Sequence, residues 1–146
     1  MRWVDRLKGM TALSATVIVG LGIAGCGTST NTSAAGFKTG SYSGTTSQGQ
    51  TISFTVTSTS VEDVLFGWQA TCADGQSHSN TMGGWNTPIT SAGAFTLDGS
   101  VDTGASGQVA GTVKGNTASG TLSRSGPSSF GTDCSDNGVA WTATAP

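Results

Sequence analysis

One histidine, His78, is the only imidazole in the chain, and it limits the acid–base chemistry that the sequence can support. A single imidazole removes most catalytic designs that need a histidine base at neutral pH. Ser77 and Ser79 flank His78, yet adjacent residues of a strand point to opposite faces. We therefore expect His78 to be a polar residue of a loop or strand surface, with contact to a ligand as the alternative.

The carboxylates do not form a recognisable catalytic pair. Glycoside hydrolysis needs two acids that face each other across a cleft. Asp98 and Asp102 are four positions apart in an expected turn, and Glu62 and Asp63 are neighbours, so the spacing selects no pair. The sequence therefore predicts no catalytic residue and no enzyme.

Metal binding has weak support in the sequence. Asp133 and Asp136, on either side of Cys134, could offer oxygen ligands to Ca²⁺, but the spacing is not that of an EF-hand. One histidine and two cysteines do not complete the usual zinc ligand sets. We predict solvated loop acids, no metal and no cofactor.

Trp85 is the aromatic residue with the strongest suggestion of binding. Gly83 and Gly84 precede it and Asn86-Thr87-Pro88 follow it, a context that predicts a loop over 83–88. A tryptophan exposed there could stack on a sugar or contact a protein, with Asn86 and His78 as companion contacts. Alternatively, the ring folds back as a lid over one end of the domain.

The N-terminal segment has the anatomy of a secretory signal peptide over residues 1–25. Arg2, Arg6 and Lys8 form a basic region, and an apolar run follows from Met10 to Ala24. The run is shorter than the roughly 20 residues that a transmembrane helix needs, which weighs against a membrane span. We expect this segment to be helical in the precursor and to be cleaved.

The end of that segment, Ile23-Ala24-Gly25-Cys26, resembles the lipobox of bacterial lipoproteins. The resemblance implies that Cys26 becomes an acylated N-terminus and holds the protein at the extracytoplasmic face of the cell membrane. The resemblance implies a diacylglyceryl group on the Cys26 sulfur. Its two acyl chains matter because one chain alone binds a membrane only marginally. Residues 26–39 then form a flexible linker, and residues 40–146 form the folded domain.

Acylation of Cys26 leaves Cys72 and Cys134 as an even pair in an exported protein. Two thiols in an oxidising compartment ordinarily form a disulfide, which we predict here.

From Cys26 onward, three cationic side chains face seven acidic ones. A surface this poor in Lys and Arg cannot neutralise phosphates, so no nucleic-acid partner is expected.

Composition and alternation predict an all-β domain. The chain contains 23 glycines and few charged residues, a mixture typical of turns and strands rather than helices. Ile52, Phe54 and Val56 alternate with polar residues, as in a half-buried strand, and residues 61–72 alternate up to Cys72 with a helix as the competing interpretation. The expected strands are 41–46, 50–57, 61–72, 77–82, 89–97, 107–114, 117–124 and 139–144. Seven or eight strands at this spacing predict an antiparallel β-sandwich or small barrel.

The domain also resembles a small bacterial extracellular domain found in exported proteins. The resemblance lies in Gly40–Gly49 (GSYSGTTSQG), Ile52–Val56 (ISFTV), Cys72, Thr117–Leu122 (TASGTL) and the closing Cys134, Gly138 and Trp141–Ala143 (WTA). It implies a disulfide-containing β fold with a structural Trp141, and it transfers no catalytic residue.

These observations predict a non-catalytic, lipid-anchored protein of the cell envelope that displays a β-sandwich binding module. Its expected partners are the membrane, through Cys26, and a cell-wall glycan or an envelope protein. A purely structural surface lipoprotein is the alternative. A carbohydrate-active enzyme is a further one, and it would need His78 within hydrogen-bond reach of a serine and a carboxylate.

Overall fold

The structure, a computed structural model, describes residues 36–146 of the chain. The signal segment, Cys26 and most of the expected linker lie outside the described residues. Eight antiparallel strands account for most of residues 36–146, which contain no helix. The strands are β1 (Gly40–Thr46), β2 (Thr51–Val56), β3 (Ser60–Thr71), β4 (Ser77–Pro88), β5 (Ala94–Ser100), β6 (Ser106–Lys114), β7 (Thr117–Pro127) and β8 (Asp133–Thr144).

The strands form one meandering sheet that curls into a nearly closed barrel. Their order is β4-β3-β2-β1-β8-β7-β6-β5. Strands β1 to β4 pair in chain order, strands β5 to β8 do the same, and β1 pairs with β8. Within the described part of the chain, no backbone ladder joins β4 to β5, and we call the gap between these two strands the seam. The all-β antiparallel fold predicted from the sequence is confirmed, with eight strands in a barrel-like arrangement.

The barrel interior is filled by the alternating residues of each strand. Ile52, Phe54 and Val56 of β2 are buried, as the period-two pattern predicts. Residues 61–72 form a strand and not a helix, and Trp68 on its inner face is 3% exposed. Trp141 of β8 is 2% exposed and packs edge-on against Phe54, with 5.8 Å between ring centroids. Both tryptophans therefore lie in the core of the barrel.

Cys72 and Cys134 form a disulfide, as predicted. Cys72 directly follows β3 and faces Cys134 across an antiparallel bridge, so the bond ties β3 to β8. Cys134 lies inside β8, which begins at Asp133 rather than at the predicted Val139. The strand begins earlier because β7 continues to Pro127, whose backbone pairs with Asp133.

The loop predicted over 83–88 is wrong, since these residues form the second half of β4. Gly83 and Gly84 adopt φ values of 143° and 87°, and the β3–β4 register shifts beside them, between Val64 and Leu65. A Cβ on Gly83 would lie 1.9 Å from the Val64 carbonyl oxygen. The glycine pair therefore makes a bulge that keeps the strand paired, where we expected a turn that ends it.

Candidate functional site

The three residues predicted to contact a ligand all lie in β4, but not in one place. His78 is near the start of the strand, while Trp85 and Asn86 follow the bulge. Seven residues at about 3.3 Å per residue separate His78 from Trp85 by roughly 20 Å. The structure therefore divides the predicted set between two regions of the barrel.

Trp85 closes the seam between β4 and β5. Its ring is half-buried, packs beside Phe66 with 6.3 Å between ring centroids, and lies directly on Gly99 of β5. A Cβ on Gly99 would be only 2.3 Å from the indole ring. Nearby, the Thr87 hydroxyl donates to the Thr96 carbonyl across the same seam, at 2.7 Å. Of the two roles that the sequence left open for Trp85, this arrangement resembles the folded-back ring, placed over the side of the barrel.

Asn86 is engaged by the neighbouring strand. Its Oδ1 accepts a hydrogen bond of 2.8 Å from the backbone N–H of Asp63. Asp63 has a φ of 53°, the single positive φ outside glycine in residues 36–146. This backbone conformation is uncommon for an aspartate, so the Asn86 side chain supports a strained bulge in β3.

His78 lies at the end of the barrel that carries the disulfide. Its Nε2 is 2.7 Å from Asp74 Oδ2, and its ring stacks on Phe130, with 4.5 Å between ring centroids. The hydrogen bond from His78 holds the pKa of the Asp74 carboxyl below its usual value of 3.8. Phe130, in the β7–β8 turn, is 54% exposed. His78 therefore links the β3–β4 turn to the β7–β8 turn.

Arg124 is a residue that the sequence analysis counted only as a surface charge. It lies on the inner side of β7 and is 2% exposed. Its guanidinium carbon lies 4.2 Å from the centroid of the Trp68 ring, a cation–π geometry. One terminal nitrogen donates to the Cys134 carbonyl at 2.7 Å, and the other donates to the Pro127 carbonyl at 2.5 Å.

The Arg124 guanidinium has an N–H donor that makes no hydrogen bond within residues 36–146. Its Nε–H is buried and has no hydrogen-bond acceptor among residues 36–146. None of the carboxylates in that part of the chain lies within ion-pair distance of Arg124. Burial lowers the pKa of Arg124, and the negative charge of Asp133 partly offsets this by raising it. The barrel thus contains a buried cation without an ionic partner.

Arg124 also lines a small cleft at the disulfide end of the seam. The cleft has a volume of about 190 Å³. Its walls come from β3, β4, the β5–β6 turn, the end of β7 and the β7–β8 turn, and include Trp68, Asn80, Met82, Val101, Thr103 and Arg124. We call it the Arg124 cleft. A wider depression of about 750 Å³ lies over the disulfide, but its lining includes no buried charge.

Alternation along β7 contained a signal for Arg124. Ala118 and Leu122 are buried, and residues at even spacing from them share their face. Arg124 continues that series, so the pattern directs its side chain inward. The expectation that a charged residue lies outside concealed this signal.

Residues 36–146 contain neither a cluster of metal-binding side chains nor a helix that could span a membrane. Within 36–146, no group of three or more His, Cys, Asp or Glu side chains is placed to hold a metal. No helix in that range is long and apolar enough to cross a membrane.

No protein family, curated protein or solved structure that was compared with the chain matches it.

Proposed function

We propose that this protein is a non-catalytic binding module of the bacterial cell envelope, anchored by lipid on Cys26, and that the Arg124 cleft is its ligand site. The observation that supports the binding role is the buried guanidinium of Arg124 at the wall of that cleft. Within residues 36–146 it has no ionic partner, and its Nε–H has no acceptor. A buried charge without an ionic partner is costly for a fold, so its presence favours a function. The expected ligand is a cell-wall glycan.

The anchor rests on the sequence before residue 36. A basic segment, an apolar run and Ile23-Ala24-Gly25-Cys26 follow one another in the order of a lipoprotein signal. Expression of the full chain in a bacterial host and mass spectrometry of the membrane fraction should give an acylated Cys26. A Cys26→Ser variant should carry no acyl group, and acylation of that variant would contradict an anchor at Cys26.

Ligand binding is tested by sedimentation of the detergent-extracted full chain with insoluble peptidoglycan. Thr103 lines the cleft in an exposed turn, so Thr103→Trp should fill the cleft and reduce sedimentation. Ser91→Trp is the matched control, because Ser91 lies in an exposed turn at the opposite end of the barrel. Equal sedimentation of both variants and the wild type would remove the cleft from the proposal.

A purely structural surface lipoprotein is the second candidate. It is favoured by the way Trp85 and Asn86 are used, since one closes the seam and the other supports the bulge at Asp63. Under this candidate, the full chain would remain in the supernatant with every glycan preparation, while Cys26 would still be acylated.

A further inference from the structure

The charge state of the Arg124 cleft indicates the kind of group that it accepts. A guanidinium carries five N–H donors, and Arg124 uses two of them on the carbonyls of Cys134 and Pro127. The donors that remain include the buried Nε–H, which has no acceptor among residues 36–146. A planar guanidinium with unused donors matches a carboxylate better than a neutral group, because a carboxylate can accept two parallel hydrogen bonds.

The other walls of the cleft indicate what carries that carboxylate. Thr103 offers a hydroxyl, and the Asn80 amide, whose Nδ2 already donates one hydrogen bond to Ser129 Oγ, has a second N–H that suits a hydroxyl group of a sugar. Trp68, Met82 and Val101 supply apolar surface for the faces of a ring. Pockets for drug-sized ligands range from about 300 to 1,000 Å³. At about 190 Å³, this cleft fits a single small unit and not a long chain segment.

We propose that the Arg124 cleft binds one sugar-acid residue, with its carboxylate on the guanidinium of Arg124 and its hydroxyl groups on Asn80 and Thr103. This inference rests on the proposed binding function and names the ligand class for the same site. The bound carboxylate supplies a negative charge, which none of the buried side chains among residues 36–146 carries. Val101, which is partly exposed, lines the cleft at this end of the barrel.

The test is calorimetric titration of the full chain in detergent with D-glucuronate, using D-glucose and acetate as matched probes. Glucose has the same ring without the carboxylate, and acetate has the carboxylate without the ring. We expect glucuronate to bind roughly tenfold to hundredfold more tightly than glucose, the range expected for hydrogen bonds to a charged group. Acetate should also bind more weakly. Equal affinity for glucuronate and either probe would overturn the assignment.

Two variants connect this affinity to the cleft. Arg124→Lys keeps the positive charge but loses the planar fork, so glucuronate affinity should fall about tenfold or more. Asn80→Ala replaces an exposed residue and does not change Arg124, and it should also lower glucuronate affinity. It therefore tests the cleft even when Arg124→Lys fails to fold. Asn137→Ala, at an exposed position of β8 outside the cleft, is the control and should bind like the wild type.

The outcomes separate this inference from the proposed function. Glucuronate affinity that survives Asn80→Ala and a folded Arg124→Lys would overturn the sugar-acid assignment. Peptidoglycan sedimentation that is sensitive to Thr103→Trp, with no binding of glucuronate, would also overturn it while leaving the binding function in place. An absence of both glycan sedimentation and glucuronate binding would overturn both.

Discussion

The contact between Trp85 and Gly99 predicts that a single methyl group on β5 destabilises the barrel. In Gly99→Ala, the new Cβ would meet the indole ring at 2.3 Å, so the ring must leave the seam or the strands must separate. Overpacking of this kind costs about 1–3 kcal/mol. Gly67→Ala is the matched control in β3, since its Cβ would lie 3.0 Å from Gln50 Cβ, a contact that a shift of a few tenths of an ångström relieves.

A double-mutant cycle with Trp85→Ala isolates this contact. With the indole removed, the three nearest contacts of the new methyl group are gone, and the substitution should cost about 0.5 kcal/mol or less. The coupling energy between the two positions should therefore exceed about 1 kcal/mol, measured from urea unfolding curves monitored by circular dichroism. A Gly99→Ala cost that is the same in both backgrounds would refute the closure of the seam by Trp85.

Two further predictions concern the disulfide end of the barrel. Replacing Cys72 and Cys134 by alanine should lower the unfolding free energy by about 4 kcal/mol, because the bond spans 62 positions and restricts the unfolded chain; a loss below about 1 kcal/mol in urea unfolding would contradict this. The folded-state pKa of Asp74 is lowered by His78, so the stability it contributes is complete above pH 3.8 and is lost as pH falls through the folded pKa. Asp74→Asn should therefore flatten the loss of unfolding free energy below pH 3.8, and an unchanged slope in acid would disprove the contact.

The barrel was largely predictable from the sequence because apolar residues alternate with polar ones along much of its strands. The series Ile52, Phe54, Val56 indicates a face without knowledge of the partner strand. The second half of β4 was not predictable in this way. A bulge and a turn both use glycine at positive φ, so Gly83 and Gly84 carry the same local signal for either. The register of the neighbouring β3 decides between them.

The cleft was the least predictable feature because segments far apart in the chain build it. Asn80 belongs to β4, Thr103 to the β5–β6 turn and Arg124 to β7, and no local spacing connects them. Only the inward direction of Arg124 was available from the alternation of β7. The predicted set of Trp85, Asn86 and His78 instead followed from one strand that was interpreted as two segments.

The central claim, that Arg124 receives the carboxylate of an acidic sugar, is tested most directly by NMR of its side chain. Arg124 is the single arginine from residue 26 onward, so its Nε–H signal is unambiguous in the mature chain that we propose. Titration of the ¹⁵N-labelled, lipidated protein in detergent with D-glucuronate should shift this signal, and D-glucose should leave it in place. An Arg124 signal that stays constant while the Trp85 indole N–H shifts would contradict the claim and move the site to the seam.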